Sequence, residues 1–173
     1  MSDVTVFSPR RESVAVAAMQ RHNARITRTV AGYTQALVTA ASLQRGPAAE
    51  RVRLSLWDWC RSELLVHARA EERSLYPRAL AEERGSLLVE SMVEEHETIE
   101  RLVDEVGAAE NGVQAVAAAS ALLVMLESHL KKENEQLLPL LARSPYVSLA
   151  DLVDGLDALV DAEAFPEQVR ATG

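Results

Sequence analysis

Apolar residues recur every three or four positions along most of the chain, with short polar interruptions. From about Ser13 to Ala41, Met19, Ile26, Val30, Tyr33 and Leu37 fall on one side of a helix. The segment QRGP, residues 44–47, breaks it. Pro47 suits the first turn of a second helix, which runs to about Tyr76. The face of this helix carries Trp57, Cys60, Leu64, His67, Glu71 and Leu75. Pro77 kinks or ends it, and Arg84-Gly85 marks a turn. A third helix spans about Ser86 to Val106, with Val89, Met92, His96, Val103 and Val106 on its stripe. After the turn GAAENG, residues 107–112, a fourth runs from about Val113 to Leu141 and aligns Leu122, Leu126, His129, Glu133 and Leu137. Beyond Pro145, Ser148 reads as the N-cap of a fifth helix, SLADLVDGLDALVDAEAF. Its stripe is Leu149, Leu152, Val153, Leu156, Leu159 and Val160. No stretch reads as a strand. Short turns between long helices favour antiparallel neighbours. The expected fold is therefore all-α, an antiparallel up-down-up-down four-helix bundle with an additional C-terminal helix.

Composition agrees with that reading. The 173 residues are 48% hydrophobic and only 4% aromatic, and Ala, Leu, Glu and Arg lose little rotamer freedom in a helix. This is enough chain for one domain with a core. The expected organisation is a flexible N-terminal tail at 1–11, a bundle at 12–142, and an additional helix and tail at 146–173. The fifth helix is expected to cover its own bundle. The alternative is a docking surface for a protein partner or for self-association. The net charge of −8 disfavours nucleic acid and anionic membrane surfaces as partners. No apolar run reads as a membrane span and no apolar signal region opens the chain. Cys60 is the single cysteine. Together these point to the cytoplasm.

The polar residues on the apolar stripes change the picture. The four histidines sit one on each long helix: His22, His67, His96 and His129. His67 with Glu71, and His129 with Glu133, are i,i+4 pairs that share a face. HARAEERSLYP and HLKKENEQLLP both read His-x3-Glu-x5-Pro. The chain thus looks like two helical hairpins of one design, which would bring four imidazoles toward one centre. A buried carboxylate without a partner costs several kcal/mol, and a metal ion removes that cost. Mixed imidazole and carboxylate ligands suit iron, manganese or zinc. At least six ligands are more than one zinc ion takes; two metals bridged by the glutamates account for the count. Tyr33 is expected to pack in the core, Trp57 and Trp59 to fill core and surface, and Cys60 to be a buried small residue. Glu94 and Glu95 are expected on a solvated face, with Lys131 and Lys132 pointing outward.

His22, His67-x3-Glu71, His96 and His129-x3-Glu133, with the SLYP and LLPLL that close the two motifs, resemble the hemerythrin-like (HHE cation-binding) family over roughly residues 12–142. The resemblance implies a non-haem di-iron centre with two iron ions, oxo- or hydroxo-bridged. Glu71 and Glu133 would bridge the irons. His22 and His67 would bind one iron, which keeps an open position, and His96 and His129 the other. The chain departs from the family in EEHETIERL. There Glu100 stands at i+4 from His96, where the family often has a further histidine. Glu100 is accordingly expected to reach the second iron, which would favour the ferric state. The implied ligand is oxygen, peroxide or nitric oxide, in a protein that senses or handles oxygen, redox state or iron. A di-iron oxidoreductase acting on peroxide or nitric oxide is the enzymatic alternative. A metal-dependent or metal-free interaction bundle is the remaining one. No nucleophile, phosphate loop or separate acid–base group is evident, so any turnover would be the metal's own.

Overall fold

The computed structural model describes residues 8–164, and among them every regular element is helical. Helix α1 spans Pro9–Ser42, α2 Gly46–Trp59, α3 Leu65–Ala79, α4 Gly85–Ala108, α5 Gly112–Lys132, α6 Leu138–Ala142 and α7 Leu149–Ala164. A π-helical turn, Cys60–Leu64, joins α2 to α3, and a second, Glu133–Leu137, joins α5 to α6. The two expected long helices are thus each an α–π–α composite. The hydrophobic pattern does not reveal these turns, because one inserted residue leaves most of the stripe intact. π turns of this kind occur often at functional sites. Helix α3 also continues through Pro77 to Ala79, a little beyond the expected end. Helix α1 begins at Pro9, so residues 8–11 are mostly helix rather than tail.

The core falls into two apolar clusters separated by a polar layer. The first cluster includes Ile26, Val30, Leu64, Ile99, Leu122 and Leu126. The second includes Met19, Leu75, Tyr76, Met92, Leu137 and Leu141. Along α1 the chain passes from the second cluster to the first, along α3 back, along α4 forward, and through α5 and α6 back again. This is the up-down-up-down order, and each long helix crosses the polar layer once. Tyr33 and Trp57 are half-buried against the first cluster, and Cys60 is buried in it, as expected. Burial pushes the Cys60 thiol up to about 12, so it is an inert core group rather than a reactive one.

The stretch Gly112–Ala142 is long and apolar enough, by length and composition, to cross a membrane, contrary to the expectation from the apolar runs. Its Ala115, Ala119, Leu122, Leu126 and Leu130 are buried as a helical stripe. Helix α5 packs chiefly against α1 and α4, as a bundle's core helix does.

Helix α7 docks on α1 and α3, placing Leu149, Val153 and Leu156 in the second cluster. It therefore covers its own bundle. The side chains of Leu159 and Val160, residues 1–7 and the segment FPEQVRATG lie outside the described residues. Ser148 is the N-cap: its Oγ accepts from Asp151 N at 3.2 Å. Buried Glu12, reaching across from α1, accepts from Leu149 N at 2.8 Å, Ala150 N at 3.3 Å and Ser148 Oγ at 2.9 Å. A carboxylate there satisfies orphan N–H groups and meets the positive end of the helix dipole. Replacing Glu12 with Ala is expected to cost about 2–3 kcal/mol in urea unfolding, the scale of lost charged hydrogen bonds. An unchanged midpoint would show that α7 docks without Glu12.

Candidate metal centre

The polar layer is built from helical phase. His22, His67, His96 and His129 each stand where their helix passes between the two apolar clusters. His67, Glu71, His96, His129 and Glu133 are all buried. His67 Nε2 lies 2.9 Å from Glu71 Oε1. His96 Nε2 lies 3.6 Å from Glu71 Oε2 and 3.1 Å from His129 Nε2. Glu71, His96 and His129 offer ligand atoms that all lie within 4.8 Å of one another. The His22 ring lies tilted against that of His67, 4.4 Å between centroids and 38° between planes.

The imidazoles are aimed by groups outside the layer. His96 Nδ1 meets Glu72 Oε1 at 2.7 Å, and His129 Nδ1 meets Glu95 Oε2 at 3.0 Å. Lys132 Nζ in turn donates to Glu95 Oε1 at 2.7 Å and to Ser91 Oγ at 2.8 Å. A carboxylate that accepts from Nδ1–H leaves the Nε2 lone pair facing inward and raises its basicity. With both rings so held, two lone pairs meet at 3.1 Å, an arrangement relieved by a shared proton or a metal ion. The Tyr76 hydroxyl also reaches His96 Nε2, at 3.1 Å. Burial, and then the charge of Glu71, push its phenol up, so it remains a donor.

The two carboxylates differ. Burial disfavours the charge on Glu71. The charge and hydrogen bond of His67 and the charges of His96 and His129 outweigh that and hold Glu71 at about 2. Glu133 is pushed well above the ordinary carboxylate range, first by burial and then by the charge of Glu71. No well-formed hydrogen bond reaches either Glu133 oxygen or His22 Nε2, although Asn23 and Glu71 stand close enough to Glu133 to act on its proton. Buried acceptors left this way are costly, and orphaned ligand atoms at one level of a bundle fit a bound cation. Ligands must lose protons to bind metal. Metal uptake is therefore expected to release protons, and apparent affinity to rise as pH rises through the raised Glu133 range. Calorimetry in two buffers of different ionisation enthalpy measures this; uptake without proton release would mean that Glu133 is already ionised.

Of the seven expected ligands, the structure brings Glu71, His96 and His129 tightly together, with His67 against Glu71 and His22 against His67. Glu133 is buried in the same layer. Glu100 is not brought there. Its side chain is 56% exposed and pairs with Arg69 at 3.5 Å. The reason is phase. The steps 92–96–100 are four residues each and drift about 40° per step from a 3.6-residue period. The buried stripe instead runs 92–96–99–103. Glu95, expected on a solvated face, is 17% exposed and holds His129; Lys132 turns inward to it. Glu72, Glu95, Tyr76 and Lys132 were not among the expected site residues. Glu72 and Glu95 directly adjoin Glu71 and His96 in sequence, which places them beside the inward face at the groove to the next helix. Their adjacency to inward-facing ligands is the signal that could have found them.

Three buried imidazoles, a fourth that is half-buried, and two buried carboxylates at one level of a helical bundle define a cation-binding protein. The chain belongs to the family of the hemerythrin HHE cation binding domain, whose sequence model matches residues 14–141. Comparison with curated proteins and with solved structures gives no match.

Proposed function

We propose that this chain holds a non-haem di-iron centre that binds oxygen or a related small molecule, peroxide or nitric oxide, in the cytoplasm. The observation that carries the reading is the shared layer: Glu71 between His67 and His96, His129 beside His96, and a second buried carboxylate, Glu133, without a well-formed hydrogen bond. Bound iron would supply the redox chemistry. Glu71 and Glu133 fit a bridging role, with His96 and His129 at one end and His22 and His67 at the other. The chain's own residues aim the imidazoles through Glu72 and Glu95, and Tyr76 keeps a donor beside His96.

Access to the His22–His67 end favours a small ligand. A cleft of about 230 Å³ lies there, lined by His22, Arg25, Ile26, Thr29, Trp59, Glu63 and His67. It has room for a diatomic or triatomic molecule. Beside the imidazoles the lining holds one carboxylate, Glu63, and one hydroxyl, Thr29, which donates to the Arg25 carbonyl rather than to a base; this favours binding or sensing over turnover. Metal content of untagged protein, with its ultraviolet–visible spectrum, tests the centre: two irons per chain and the near-ultraviolet bands of a bridged diferric pair are expected. Reversible spectral change on anaerobic–aerobic cycling of the reduced protein supports oxygen binding. Steady consumption of peroxide or nitric oxide supports the enzyme instead. Protein that neither carries iron nor takes it up anaerobically overturns the proposal.

A further inference from the structure

His96 and His129 are held through Nδ1 by carboxylates, whereas His22 is held by a cation. Arg25 Nη2 lies 3.0 Å from His22 Nδ1. A guanidinium only donates hydrogen bonds, so Nδ1 must accept. The single ring proton of His22 is then on Nε2, the atom that faces the buried layer. There it has no hydrogen-bond partner, and an Nε2 that carries a proton has no lone pair for a metal. At the opposite end, Glu71, His96 and His129 already present ligand atoms within 4.8 Å of one another. The two ends of the layer are therefore unequal, and the inequality comes from one exposed residue on α1.

We infer that Arg25 locks His22 in the tautomer that excludes a metal, so that the two ions enter in order. The first binds at Glu71, His96 and His129. The second binds at His22 and His67 only after Arg25 has left His22 Nδ1. The inference rests on the two-metal reading above. Arg25 has somewhere to go: it lines the same cleft as Thr29, Trp59 and Glu63, and it is otherwise exposed. Glu63 also supplies that cleft with a carboxylate, the group that serves His96 and His129 at the other end.

The test begins on the metal-free protein, where long-range proton–nitrogen spectra distinguish imidazole tautomers. His22 is expected as the Nε2–H form in the wild type and in Arg25→Lys, and as a mixture or the Nδ1–H form in Arg25→Leu. Anaerobic calorimetry with ferrous iron is then expected to show two steps. Arg25→Leu should leave the first step in place and tighten the second about tenfold, the scale of groups that orient metal-bound imidazoles. Arg25→Glu should tighten it further by offering Nδ1–H a carboxylate. Arg28→Glu, one turn away on the same helix and also exposed, makes the same change in charge and should not reproduce the effect. His22→Ala should keep the first ion and lose the second, and His129→Ala should lose the tight step. A wild-type His22 with its proton on Nδ1 overturns the inference. So does a second step unchanged in Arg25→Leu, or an Arg28→Glu variant equal to Arg25→Glu. Two ions entering alike in all variants overturn the order and leave the di-iron reading standing. Failure of every variant to take up iron overturns both.

Discussion

Ferrous iron at about a thousandfold excess over its dissociation constant is expected to stabilise the fold by about 4 kcal/mol. For a domain of this size each kcal/mol moves the melting temperature by about 2–4 °C, so the rise is about 8–16 °C. The reason is that the polar layer crosses every long helix of the bundle. In metal-free protein it keeps Glu133 without a well-formed hydrogen bond and sets two imidazole nitrogens of His96 and His129 at 3.1 Å. Bound cations convert those losses into ligand bonds that the unfolded chain cannot make. Thermal melts with ferrous iron and with a chelator, both anaerobic, measure the difference. The rise should be largely lost in Glu71→Ala, because Glu71 lies between the two ends of the layer. Equal melting temperatures with and without metal would detach the layer from the stability of the fold.

The second large effect has the opposite sign in the metal-free protein. Glu133→Met replaces a fully buried carboxyl that lacks a well-formed hydrogen bond with an apolar side chain of similar volume. Removing such an unsatisfied group should stabilise the metal-free bundle by about 1–3 kcal/mol, since volume-conserving replacements add little strain. The same substitution removes a bridging candidate and should abolish uptake of the second ion. Glu133→Gln keeps a buried polar group and should show little of the gain. Urea unfolding of the metal-free variants, paired with metal content, separates the two outcomes. A destabilised Glu133→Met would mean that Glu133 contributes to the fold before any metal arrives. The expected gain would mean that the site is held at the expense of stability, which is common where function needs strained or polar cores.

Much of the fold could be read from the chain because its helices are amphipathic and their breaks carry Gly, Pro or Asn. Asn111 lies in the expected GAAENG turn, and its side chain accepts from Val113 N and Gln114 N. The level of the polar layer was also legible, since a histidine interrupting an apolar stripe marks its own depth. What the chain alone did not disclose depends on neighbouring helices. The phase that exposes Glu100 appears only when the whole α4 stripe is known to be buried. The pairing of Glu72 with His96, and of Glu95 with His129, joins residues more than twenty positions apart, and no single-helix pattern reports it. The π turns at Cys60–Leu64 and Glu133–Leu137 are likewise a property of packing. Each lets a helix change rotation partway, so that residues on both sides of the turn face the centre.

The grip of Glu12 on the start of α7 has a consequence for the order of folding. The hydrogen bond from Leu149 N to Glu12 joins positions 137 apart in sequence, and the entire bundle lies between them. Closing a loop of that length is unfavourable until the intervening helices have collapsed. Helix α7 is therefore expected to dock after the transition state and to be the first element to leave. Loss of Glu12 should speed unfolding while leaving the folding rate almost unchanged. Native-state hydrogen exchange should find the amides of α7 opening well below the global free energy, as a separate unit from the metal-bearing helices.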